Sequence, residues 1–232
     1  MITDDDKLRN TTNALLPDSR TKYLVTIDHT NQSRNITLQD QHNFISPYVL
    51  NDQVPEEIRI QFETAKNCYL YAWFVFRFYQ VAEQHAFSTL EYALRLRLPD
   101  FVKKIEDKSR LGIPPGLSSL LKHATNEKIL RNDLFESRNS WATARAKDRY
   151  RHEIHEKMIR ENLDEITYDD SDIKATDEDI SFDWLGAFIE HLPSIRNDLA
   201  HGSSNLKHSV LHTFDVVSSM INMMFLDTIQ EV

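Results

Sequence analysis

Arg196 and His201 close the run Pro193-Ser194-Ile195-Arg196-Asn197-Asp198-Leu199-Ala200-His201-Gly202, and together they carry the tools for acid–base chemistry on an anion. An imidazole exchanges a proton near neutral pH. A guanidinium keeps its charge and offers a planar fork to phosphate or carboxylate oxygens. Asn197 and His201 stand four apart, hence on one face of a helix, where the amide can orient the ring or bind phosphate itself.

Spacing alone is weak evidence, because a chain with 10 histidines and 27 lysines and arginines produces about two arginine-to-histidine pairs at this separation by composition. Arg145 to His152 and Arg149 to His155 are such pairs, set in a charged stretch with no apolar face. Context separates the third copy: it ends an amphipathic segment, has a polar neighbour at Asn197, and is followed by Gly202, suited to a C-terminal cap. Other constellations fail on chemistry or geometry. The Arg131 copy of Arg-Asn-Asp-Leu runs on into Phe135 and Glu136 and lacks the proton carrier. His152-Glu153-Ile154-His155 has two residues between its histidines where a zinc-protease box needs three. His208 and His212 are four apart but lack an evident third ligand. There is no glycine-rich phosphate loop and no nucleophile elbow.

The elements that must position these residues read as helices. Only 4 Gly and 7 Pro punctuate 232 residues, which favours long helices over many short strands. Pro55 followed by Glu56 and Glu57 makes a helix start. Ile58, Phe62, Ala65, Tyr69, Ala72, Phe76 and Tyr79, continued by Phe87, Leu90 and Leu94, form an apolar stripe at steps of three and four. It predicts one long helix, or two with a slight kink, reaching Pro99, with the aromatic row in the core. Glu91 is expected to face solvent or to pair with Arg95, with a cleft role as the third option. LGIPPG (Leu111 to Gly116) predicts a turn and Leu117 to His123 a short helix. Phe182, Leu185, Ile189, Leu192, Ile195 and Leu199 trace one face, with Pro193 expected to kink the run or restart it. Leu206, Val210, Phe214, Val217, Ile221 and Met224 trace another. Packed together these predict a four-helix bundle.

Two stretches lie outside that pattern. In residues 1–54 the runs TKYLVTID and RNITLQD suggest a short hairpin. An insertion at about 126–180 holds the charged, helix-prone stretch Trp141 to Glu165 and the acidic segment Tyr168 to Asp179, expected as a mobile loop. Arg145, Lys147, Arg149 and Arg151 are its densest basic cluster, a solvated face or a surface that steers RNA. The expected organisation is thus an N-terminal extension, 1–54, and a helical bundle, 55–232.

Composition narrows the classes. A net charge of -9 opposes wide nucleic-acid contact but not a local basic cleft, since screening confines surface fields to about 8–10 Å. The densest apolar stretch, Tyr69 to Phe78, is shorter than the roughly 18 residues a membrane span needs. The acidic N-terminus and the single cysteine, Cys68, point to a cytoplasmic protein without disulfides.

Pro193 to Gly202 resembles the signature of the HEPN family, and Ala82 to Leu98 is similar to the first long helix of several of its groups. The resemblance covers about 55–99 and 181–230. It implies an all-α, HEPN-like four-helix bundle that forms a homodimer, and cleavage of RNA in a composite cleft without cofactor or metal. Arg196 and His201 would be catalytic, Asn197 supporting, and the products would carry 5′-hydroxyl and 2′,3′-cyclic phosphate ends. Toxin–antitoxin or antiviral defence is the usual setting, with an antitoxin or effector protein as a partner. Some members lack catalysis and serve as protein-binding dimers, which is the alternative expectation.

Overall fold

The N-terminal strand runs are shorter than their alternation suggests. In the computed structural model, which describes residues 4–27, 32–201 and 207–226, β1 (Val25–Ile27) and β2 (Ser33–Asn35) pair antiparallel with Thr26 opposite Arg34. The second run stops because Thr37 starts a helix. Its hydroxyl accepts from the Asp40 N–H while the Asp40 carboxylate accepts from the Thr37 N–H, a reciprocal cap that turns Leu38–Ile45 into α1.

The apolar stripe from Ile58 to Leu94 is buried along its whole length, yet it does not belong to one gently kinked helix. α2 (Glu56–Tyr71) ends, the chain turns through residues 72–77, and α3 (Phe78–Arg97) packs back against it, with the Tyr69 and Tyr79 rings edge to face at 5.3 Å. No glycine or proline marks the break. Distant groups satisfy the backbone it frees: the Asp18 N–H donates to the Trp73 carbonyl, the Asp18 carboxylate accepts from the Phe76 N–H, and Gln41 donates to the Tyr69 carbonyl. Interrupted helical backbone needs such partners when it is buried.

α3 is the hub. It contacts α2, α5 (Leu117–Asn126), α8 (Trp184–Ala200) and α9 (Leu211–Met224), and Phe62, Phe87, Leu90, Leu94, Leu120 and Phe214 are fully buried around it. α4 (Pro99–Lys108) went unread in the sequence, although Pro99 at its first turn is a helix-starting position. The expected turn follows, with Gly112 at φ +62°. Pro193 does not interrupt α8. Ile195, expected in the buried stripe, is 38% exposed. Gly202 and Leu206 lie outside the described residues.

α6 (Arg138–Glu161) is the charged helix of the insertion, closed by Asn162 in the left-handed region. The acidic segment after it is not loose. Asp170 and Asp179 reach back to α6, and residues 177–180 form a short helix, α7 (Asp177–Ile180), capped by Thr176. The expectation of a mobile loop counted acidic residues without the cations opposite them. Among the described residues the chain is mostly helical, with one two-stranded sheet, and no helix is long and apolar enough to cross a membrane.

Candidate functional site

Arg196 leaves the last third of α8 and meets α3. Its Nη2 donates to Glu91 Oε2 at 2.9 Å and its Nη1 to Asn197 Oδ1 at 3.3 Å. Glu91, 7% exposed, also accepts from Arg95 one turn on. Of the three roles open to Glu91, solvent exposure is ruled out and pairing with Arg95 is present; the bond to Arg196 was not foreseen. Two guanidiniums around one carboxylate leave a surplus positive charge, and Arg196 keeps 34% of its side chain exposed. The buried carboxylate thus ties the Arg196 guanidinium to α3.

The exposed side of Arg196 opens on a groove of about 300 Å³, lined also by Asn197, Pro193, Gly116, Ser118 and Ser119. Gly116 is the N-cap of α5 and offers no capping side chain. First-turn N–H groups with no cap favour negative charge, so the arginine and the helix end act in the same sense.

His201 is the C-cap of α8. Its N–H donates to the Asn197 carbonyl at 2.9 Å, and its side chain is exposed. Among the described residues the imidazole has no hydrogen-bond partner. The Asn197 side-chain carbonyl is taken by Arg196, so residues 197 and 201 are linked through main chain only. Five residues of α-helix separate Arg196 from His201 by roughly 140° around the axis and about 7.5 Å along it. The chain therefore presents the guanidinium to the groove and the imidazole at the end of the same helix. No family model, curated protein or solved structure matches this chain.

The four cations read as an RNA-steering surface are all engaged inside the chain. Arg145 and Arg149 donate to Asp179 at 2.9 and 2.6 Å, and Lys147 and Arg151 to Asp170 at 3.3 and 2.8 Å. Asp179 has no exposed side-chain surface; its bonds from Arg149 and from the Thr176 N–H hold its carboxyl far below the ordinary range. The four cations remain part of the surface, with 29–48% of each side chain exposed. His208 and His212 also part company: His208 packs on Phe76 and Tyr79, His212 on Trp141 and Phe188. In the sequence the groove left a single trace, the Gly116-to-Leu117 helix start, and its closeness to Arg196 had no local signal.

Proposed function

We propose that this chain is a HEPN-type endoribonuclease that cleaves RNA without a metal and works as a homodimer within a toxin–antitoxin or antiviral system. The observation that carries the reading is the pairing of Arg196, anchored by buried Glu91 at the mouth of a groove ending on an uncapped helix N-terminus, with an exposed imidazole at the end of the same helix. The groove has the charge and size to hold a phosphate. His201 would move the proton between the 2′-hydroxyl and the leaving 5′-oxygen, and Arg196 would stabilise the charge gathering on the phosphate oxygens. A second copy would complete the cleft by adding its own Arg196 and His201. Tyr92 and Leu96 on α3 and Ile195 on α8 are large apolar residues left exposed beside Glu91, Arg95 and Arg196, a surface suited to self-association.

The test is cleavage of total RNA by the purified chain in EDTA, with Arg196→Ala and His201→Ala beside it. The reading predicts ends bearing 2′,3′-cyclic phosphate and a loss of about 10²–10⁴-fold on replacing His201; cleavage unchanged by both substitutions overturns it. A second reading, a dimer that binds a protein partner without catalysis, is favoured by the net charge of -9 and by the internal pairing of the α6 cations. It predicts a dimer in sedimentation with no RNA cleaved.

A further inference from the structure

A second concavity, of about 540 Å³, lies between the α1–α2 connection (Tyr48), the approach to α6 (Glu136, Ser137) and α9 (Asp215, Ser218). It shares no lining residue with the groove at Arg196, and its volume is that of an ordinary small-molecule pocket. Its walls are tied together. The Asn222 amide donates to the Val49 carbonyl and accepts from the Asn51 N–H, both at 2.9 Å. Half-buried Asp215 accepts from Ser137 Oγ at 2.8 Å and from Trp141 Nε1 at 2.7 Å.

Both donors to Asp215 are neutral, and among the described residues no lysine, arginine or histidine lies at ion-pair distance from it. Asp18, Glu91 and Asp179 each meet an arginine, whereas Glu83 and Asp183, like Asp215, accept from neutral donors. His212, one turn before Asp215, is pushed below its ordinary pKa by desolvation, against the field of Asp215. Glu136 adds a second carboxylate to the lining, and among the described residues no cationic side chain lines the cavity. Tyr48 lines the same cavity as Asp215 and brings an aromatic ring to its wall.

A fixed carboxylate without a counter-charge, a second one at the rim and an aromatic face are the groups that recognise an ammonium or guanidinium. The same charges repel phosphates, which separates this cavity from any RNA path. We propose that the cavity binds a small organic cation, with Asp215 as its counter-charge, Glu136 as a second contact and the Tyr48 ring against its charged head.

The test does not use ribonuclease activity, so its outcome is independent of the function proposed above. Spermidine is titrated into the full chain at constant ionic strength while tryptophan fluorescence is followed, since Trp141 is bonded to Asp215. Saturable binding is expected for spermidine and none for adenosine monophosphate. Asp215→Asn should weaken binding at least tenfold and Glu136→Gln about threefold, whereas Asp172→Asn, on the exposed acidic segment, should leave it unchanged. No saturable response, or equal affinity in the Asp215 and Asp172 variants, overturns the proposal. Should circular dichroism show Asp215→Asn unfolded, the Glu136→Gln chain decides, because Glu136 is exposed: wild-type affinity in that variant overturns the proposal.

Discussion

At the scale of single residues, Glu91 governs the candidate site more than any member of the Arg-Asn-x-x-x-His pattern does. It is the buried charge on which Arg95 and Arg196 converge, and it sets where the Arg196 guanidinium sits relative to the groove. Replacing Glu91 with alanine should cost about 1–3 kcal/mol in chemical denaturation, because it leaves donors at the core edge without their acceptor. The same change should weaken any anion binding at the groove, since an unanchored guanidinium loses its preorganisation. His201→Ala should leave stability within about 0.5 kcal/mol of the parent chain, as substitution of an exposed side chain without partners does. The two variants therefore separate folding from chemistry: stability measured on each, beside RNA cleavage, distinguishes an anchor from a proton carrier.

Among the elements, α6 and the acidic segment form one unit. Asp170 is held below the usual carboxylate range by its bonds from Arg151 and Lys147, and Asp179 far below it by Arg149 and Thr176. Their folded-state values lie under the unfolded value near 3.9, so their contribution is complete above that value. It is lost as pH falls from about 4 toward the folded-state values, where the carboxylates take up protons. Hydrogen exchange of residues 168–180 should accordingly rise on acidification through that window, before the α3 core opens; protection that stays level there would show the segment to be held by something else. High salt should loosen the same segment, because its ion pairs lie at a solvent-facing surface. The pairing also explains why a basic cluster in the sequence is a poor guide to a nucleic-acid surface: four cations close in sequence are matched by acids about 20 to 35 residues later.

For the whole molecule, the N-terminal residues act as a latch on the α2–α3 turn. Asp18, with no exposed surface, accepts from Arg20 and from the Phe76 N–H while its own N–H reaches Trp73. Asp18→Ala should destabilise the chain by about 3–5 kcal/mol, as removing one partner of a buried ion pair does, and thermal unfolding should report it as a fall in Tm. The sequence was enough to read the helical class, the buried stripe from Ile58 to Leu94, the short hairpin and the charged α6, because each depends on residue periodicity within a few turns. The Arg196 and His201 pattern was legible there too, and the role given to it is a proposal. Three features needed the tertiary structure: the break between α2 and α3, the burial of Glu91 under Arg196, and the internal pairing of the α6 cations. Each depends on a partner between 19 and 105 residues away. Local pattern carries no information about such a partner, because which polar groups meet is decided by how the helices pack.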